Sequence, residues 1–380
     1  MPARFSAFVR TRTTRTTRTG RLTGWLAAIA LIACSPSGAT EPQTDSIEDL
    51  SPGWHRIAGG PGTGCAFDTP FSFYVRPGDP RKLLVHLQAG GACWNGETCD
   101  PLLLPTFDPV IDTTDHPSRA AGILSLHLLA NPVHDFSIIV VPYCTGDLHL
   151  GSRAVTYRSP GAQLIPARDF TVKHWGARNV ESVLRWAYRH FAQPEIIFVN
   201  GSSAGAIASP VYAAELAEEY PSARVVQLGD GAGGYRVPGL GTLMGAAGAL
   251  DVLRGMSAFQ SIDSAAFTFE DLYVLASRAR SNLSLAQYNS ANDATQLFFL
   301  HALGVPSASL TPLLAANLAE LHADVPGFRS YTAPGVTHTI LFRSSFYTLA
   351  VDGVTARDWV AALLDGTSVP DIGSSLLGGN

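Results

Sequence analysis

Charge is scarce in this chain. Asp, Glu, Lys and Arg make up 15% of its 380 residues, and the 26 basic side chains are outnumbered by 31 acidic ones. A formal net charge of −5 excludes a polyanion-binding protein, which needs a basic surface. No segment repeats with a period of 20–50 residues, so solenoids and propellers are excluded. The 36 Gly and 25 Pro are dispersed, which removes collagen-like and low-complexity readings. The early apolar run Trp25–Ala33 covers only nine residues, whereas a helix crossing a bilayer core needs about 20. No CxxC pair occurs among the five cysteines, so the spacing fits a zinc site poorly. What is present is 46% hydrophobic residues, enough for one large core.

Arg4, Arg10, Arg12, Arg15, Arg18 and Arg21 precede the short apolar run, and no acid stands among them. A basic stretch followed by a short apolar one has the shape of a secretory signal. Leu31-Ile32-Ala33-Cys34 is similar to the bacterial lipobox, in which Cys34 would become the lipidated first residue; the alternative is cleavage near Ala33 with Cys34 incidental. The expected organisation is a signal at 1–33, a flexible tether at 34–50, a single domain at 51–368 and a C-terminal tail at 369–380. Acyl chains on Cys34 would hold the protein at a membrane surface without spanning it. Loss of residues 1–33 would remove six arginines and no acid, leaving 20 basic against 31 acidic side chains and a net charge of −11. Four cysteines then remain, which in an exported chain suit two disulfides. Of the three pairings, Cys93–Cys99 suits a short local loop and Cys65–Cys144 a long clasp.

From about residue 71 short apolar runs alternate with helical periods. Strands are expected at Phe71–Val75, Leu83–Leu87, Phe136–Val141, Glu195–Asn200, Arg224–Leu228, Leu283–Asn289 and Arg329–Ala333. Val180, Val183, Leu184, Ala187, Tyr188 and Phe191 fall on one helical face, and a second helix is expected over Ala204–Tyr220. Alternation of this kind predicts an α/β fold resembling the α/β-hydrolases: a mostly parallel central sheet with helices on both faces. Ligands in such sheets sit beyond the C-terminal strand ends. Two stretches, about 94–131 and 235–282, break the rhythm and read as lid insertions.

Gly201-Ser202-Ser203-Ala204-Gly205 stands between an expected strand and an expected helix, the context that gives G-x-S-x-G its meaning. Glycines on both sides of Ser203 would relieve the crowding of a tight elbow and let Oγ project above the sheet. Ser202 is a candidate only in a shifted frame. In this architecture the acid and then the base follow the serine. Three histidines do so: His301 and His322 fall in helical stretches, whereas His338 lies in a loop directly after the strand Arg329–Ala333. The acid that fixes its tautomer could be Asp293 or Asp230, each following a strand. Gln88–Cys93 follows Leu83–Leu87 with two glycines. It fails as a phosphate cradle, having neither G-x-G-x-x-G nor G-K-[ST], but suits an oxyanion loop. Gly91 and Ala92 are its candidate donors, with the N–H of Ala204 beyond the nucleophile.

Several segments together resemble the pectin acetylesterase and Notum family of carboxylester hydrolases. They are Gly62–Cys65, Leu84–Trp94, Pro142–Gly151, Asn179–Ser182, Gly201–Gly205, Gln227–Asp230, Asn289–Asp293 and Thr337-His338. The resemblance implies Asp293 as the acid, Ser203 and His338 as nucleophile and base, and disulfides Cys65–Cys144 and Cys93–Cys99. It departs from plant members at Ala89-Gly-Gly-Ala-Cys-Trp94, where those carry Gly-Gly-Gly-Trp-Cys and further cysteines, and so is closer to a bacterial branch. Asp147 and His149 also fit a family motif and are read as structural or rim residues. The expectation is a serine carboxylic ester hydrolase that removes O-acetyl groups from carbohydrate and needs no metal or organic cofactor. It would act in the cell envelope on a small ester and bind no nucleic acid. The alternatives are a lipid-ester or polyester hydrolase, or a non-catalytic surface binding protein on the same scaffold.

Overall fold

The computed structural model describes residues 47–305 and 309–378. The expected signal at 1–33, Cys34 and nearly all of the tether lie outside the described residues. The described residues fall in one compact unit, Asp45–Asn380.

Runs of β-branched and aromatic residues without polar interruption build the centre. In chain order the strands of the main sheet begin with β1 (His55–Ala58), β2 (Ser72–Arg76), β3 (Asp79–Leu87) and β4 (Phe136–Val141). A separate antiparallel hairpin follows, β5 (Arg153–Arg158) with β6 (Asp169–His174). The sheet then continues with β7 (Ile196–Ser202), β8 (Arg224–Asp230), β9 (Leu283–Ser290) and β10 (Arg329–Ala333), and a short hairpin pairs β11 (Ala350–Val351) with β12 (Val354–Thr355). The eight strands run in the order β1-β2-β4-β3-β7-β8-β9-β10. Pairing is antiparallel at β1–β2 and β2–β4 and parallel from β4 across to β10. This is the expected mostly parallel α/β sheet. Every residue of β4 is buried, as a strand covered on both faces requires.

The helices are α1 (Gly96–Cys99), α2 (Gly176–His190), α3 (Ala204–Glu219), α4 (Leu240–Ala246), α5 (Ala249–Gly255), α6 (Glu270–Ala279), α7 (Ala294–Ala302), α8 (Leu310–Asp324) and α9 (Ala356–Asp365). One core on one side of the sheet gathers Leu83, Val85, Ile139, Val183, Val199, Val211 and Leu272; the other gathers Leu84, Ile138, Phe198, Tyr331 and Trp359. These two sets alternate along β3 and β4, as a period of two demands. Tyr331 stacks on Tyr288 with ring centroids 5.4 Å apart, and Trp359 closes over it edge-on.

Three boundaries differ from expectation. The tether is cut short, since Ile47 is already buried in the core. The expected tail at 369–380 is docked: Val369 and Ile372 are buried, Ile372 forms a bridge to Tyr331, and Thr332 N–H donates to its carbonyl at 2.8 Å. The expected insertion at 235–282 is only partly a lid, because α6 packs against α3 in the main helical layer with Leu272 and Ala276 fully buried.

Chain order changes direction at the centre of the sheet. From β3 the chain goes first to β4 on one side and later to β7 on the other. Such a switch point leaves a crevice beyond the carboxyl ends of the two strands. Leu87 of β3 pairs with Gly201 of β7, so the segments after them, Gln88–Cys93 and Ser203-Ala204, rise side by side.

Candidate active site

Ser203 directly follows β7 and stands at the N-terminal boundary of α3 with φ 53° and ψ −114°. A non-glycine residue held there costs on the order of 1–3 kcal/mol and persists only where its surroundings enforce it. The enforcement is visible. Ser203 N–H donates to Asp230 O at 2.8 Å, and Ala206 N–H returns to Ser203 O at 2.9 Å. The elbow is also too tight for side chains on either flank: a Cβ at Gly201 would lie 2.0 Å from Gly205 O, and one at Gly205 would lie 2.1 Å from Leu87 O. These contacts account for the G-x-S-x-G pattern. Ser202, the shifted-frame alternative, instead directs Oγ at Asp230 Oδ2, 3.5 Å away, and is buried.

The two candidate acids part company in the structure. Asp293 caps α7, its Oδ1 accepting from the amides of Thr295 at 2.9 Å and Gln296 at 3.1 Å. Its Oδ2 accepts from Gln296 Nε2 at 3.2 Å and sits 2.8 Å from His338 Nδ1. Asp293 is fully buried, and the His338 side chain is 17% exposed. Asp230 faces backbone instead: its carboxylate accepts from Ile340 N–H at 2.9 Å and Leu341 N–H at 2.9 Å. Burial disfavours its charged form and pushes its pKa up to about 6, against the opposing pull of those two amides.

His338 lies against the same turn that holds the serine. A Cβ placed on Gly231 would be 3.4 Å from its Nδ1 and Cε1, and Gly231 directly follows the residue that receives Ser203 N–H. His338 Nε2 is buried and has no hydrogen-bond partner among the described residues. The structure thus joins Asp293 to His338 and brings Ser203 and His338 to the two sides of Asp230-Gly231, with no Ser–His bond made in this state. Such bonds are often unformed until substrate binds. His301 and His322 lie on α7 and α8; His322 stands near Asp371 and edge-on to Phe328.

Gly91, Ala92, Ser203 and Ala204 line one cleft of about 700 Å³, mouth included. The oxyanion-loop candidates are pinned on both sides. Thr106 Oγ1 donates to Ala92 O at 2.5 Å, and Cys93 N–H donates to Gly146 O at 2.9 Å. His149 Nε2 lies 2.9 Å from Gln88 O, and burial lowers its pKa to about 4, so a neutral ring donates to that carbonyl. Asp147 lines the cleft, yet its carboxylate accepts from Thr145 Oγ1 and from Gly176 N–H, both at 2.7 Å. Asp147 and His149 therefore support the walls, as read from the sequence. The remaining lining is apolar: Leu148, Ile207, Leu240, Leu243, Met244 and Phe269. No sequence pattern marked these residues as one surface, because four of them come from the insertion and two from separate core segments.

Both disulfides form as paired above, Cys65–Cys144 and Cys93–Cys99. Cys93, Cys99 and His174 offer atoms within 4.8 Å of one another, but the bridge takes both sulfurs out of use as thiolate ligands. Among the described residues no helix is long and apolar enough to cross a membrane.

Residues 58–237 match the family model described as Pectinacetylesterase. The chain is similar to the palmitoleoyl-protein carboxylesterase NOTUM of Homo sapiens, 25% identical over 176 residues, which is 44% of this chain and 33% of that protein. It is also similar to the palmitoleoyl-protein carboxylesterase NOTUM of Schmidtea mediterranea, 27% identical over 142 residues, 36% of this chain and 25% of that protein. The matches thus span a third or less of these relatives' lengths. Ser203 and the loop Gln88–Cys93 fall inside the family match and Asp293 and His338 beyond it. Over residues 58–237, just under half of its length, the chain is thus similar to the pectinacetylesterase family.

Proposed function

We propose that this protein is a serine carboxylic ester hydrolase. Ser203 Oγ attacks the ester carbonyl while His338 Nε2 takes its proton, and Asp293 holds the ring with Nδ1–H directed at its own Oδ2. The N–H groups of Gly91, Ala92 and Ala204 receive the developing oxyanion. The alcohol leaves with the proton from His338, and an acyl-Ser203 ester remains. Water, deprotonated by His338, then attacks that ester and releases the carboxylic acid. The observation that carries this reading is the 2.8 Å contact of Asp293 with His338 Nδ1 beside the turn that fixes the serine elbow.

The cleft bears on the substrate. Its walls are aliphatic and aromatic, which suits an acyl group longer than acetyl, because each buried methylene contributes about 0.8 kcal/mol. The names of the relatives, which act on a palmitoleoyl ester, point the same way. The family description supports a second reading, release of O-acetyl groups from carbohydrate. A series of p-nitrophenyl esters from acetate to dodecanoate separates the two when set against acetate release from acetylated pectin. We expect kcat/KM to rise from acetate to a medium chain, Met244→Trp to remove that rise, and Ser203→Ala to abolish turnover while the fold persists. Full activity of the Ser203→Ala protein would refute the assignment.

Two disulfides suit an oxidising compartment outside the cytoplasm. We place the chain there as an envelope protein anchored through acyl chains on Cys34. Intact mass of the purified native protein would show the added acyl mass, and Cys34→Ser would move the protein to the soluble fraction.

A further inference from the structure

We infer that Asp230 is a positioning residue that locks the nucleophile elbow and the loop of the base to each other. The inference rests on the assignment of Ser203 and His338 given above and adds a third group to it. Three backbone segments meet at this residue. Its carbonyl accepts Ser203 N–H at 2.8 Å, the tie that holds Ser203 at positive φ. Its carboxylate accepts the N–H groups of Ile340 and Leu341, which follow His338. Its neighbour Gly231 lies against the His338 ring, and Gly231 N–H donates to Tyr288 O at 2.8 Å.

The geometry explains a residue that is otherwise hard to account for. Thr339, directly after His338, has φ 61°, an outlier for a β-branched side chain. An anchor on the following amides keeps the chain in that turn, and the anchor is the fully buried carboxylate of Asp230. Arg343 supports the turn from outside, donating through Nε and Nη2 to His338 O and through Nε to Thr339 O. With the acceptor gone, Thr339 would relax toward negative φ and His338 would swing from the serine. A displacement of about 1 Å in such a pair costs on the order of 10²-fold in rate.

Charge enters as well as shape. The groups facing the Asp230 carboxylate are Ser202 on β7, Tyr288 on β9, Asp293 at the start of α7 and His338 on the base loop. His338 attracts the ionised carboxylate, Asp293 repels it, and burial opposes its charge. Asp230 is therefore charged at neutral pH and becomes neutral as pH falls through about 6. While ionised, it stabilises the imidazolium that His338 becomes during attack.

The test uses the mature protein and p-nitrophenyl butyrate. The wild-type kcat/KM should fall as pH drops through about 6, where Asp230 becomes neutral. Asp230→Asn should lower kcat by about 10²-fold with KM nearly unchanged. Adding Thr339→Gly, which tolerates the turn unaided, should restore at least fivefold of that loss, whereas Thr339→Gly alone stays near wild type. A wild-type kcat/KM that stays level through pH 6, or an Asp230→Asn kcat within threefold of wild type, overturns the inference. Because the profile is read on the wild type, a variant that fails to fold still leaves the inference decidable. Turnover by Ser203→Ala would instead strike the assignment beneath it.

Discussion

The two oxygens of Asp293 are used differently: Oδ1 accepts two amides at the start of α7, and Oδ2 meets His338 Nδ1. This separation lets one substitution isolate the proposed chemistry from the fold. Asn at 293 keeps an oxygen for the helix cap, but its NH₂ then faces the ring. His338 would turn to the tautomer that carries its proton on Nε2 and could not accept one from Ser203. We expect Asp293→Asn to lower kcat by on the order of 10³–10⁴-fold with little change in melting temperature. Asp293→Ala should lose the cap too, a further loss of about 1 kcal/mol of stability. Equal melting temperatures with undiminished kcat would show that the acid lies elsewhere. The sequence left Asp230 and Asp293 as competitors because both follow strands that end on the same side of the sheet. Which carboxylate turns toward imidazole and which toward backbone amides depends on side-chain direction, and spacing does not encode that.

At the scale of elements, legibility followed burial. Phe136–Val141 was readable to the residue because a strand buried on both faces has no polar member to confuse its ends. The strands near Ser203 were readable nearly as well, each extending into the residues that build the turn: β7 runs on to Ser202 and β8 to Asp230. β1 and the β5–β6 hairpin were not anticipated. His55-Arg-Ile-Ala58 is half exposed at an edge, and Arg153–Arg158 carries mostly exposed residues, so neither offers an apolar run to detect. The docked segment after 368 was missed for a related reason. Its two buried anchors, Val369 and Ile372, stand among Pro, Asp, Gly and Ser, a composition that reads as tail. The apolar cleft is the largest gap, since its walls become one surface only when α4 and the turn before α6 fold over the centre of the sheet.

Over the whole molecule, the two disulfides staple very different lengths of chain, and their consequences should differ accordingly. Cys65–Cys144 spans 79 residues and ties the loop before β2 to the end of β4, while Cys93–Cys99 spans 6. In the chain-entropy account a bridge restricts the unfolded state more as its loop lengthens, giving about 4.5 kcal/mol for the first and about 2.2 kcal/mol for the second. The long clasp joins parts that other contacts already hold: Ala66 N–H donates to Cys144 O, and Asn179 of α2 pairs with both backbone groups of Gly64. Its loss should therefore cost stability and leave the native site in place. The short bridge lies directly after the oxyanion-loop candidates, next to a four-residue helix capped by Asn95. The bridge adds to the ties of Thr106 to Ala92 and of Cys93 to Gly146 that set the course of that loop, so its loss should be felt in rate. Replacing Cys65 and Cys144 with Ala should lower the urea midpoint by the larger amount at nearly constant kcat. Replacing Cys93 and Cys99 should shift the midpoint less and lower kcat by at least tenfold, as expected when an oxyanion donor is misplaced. The reverse ordering, with the short bridge governing stability and the long one rate, would mean that the loop Gly91-Ala92 does not hold the oxyanion.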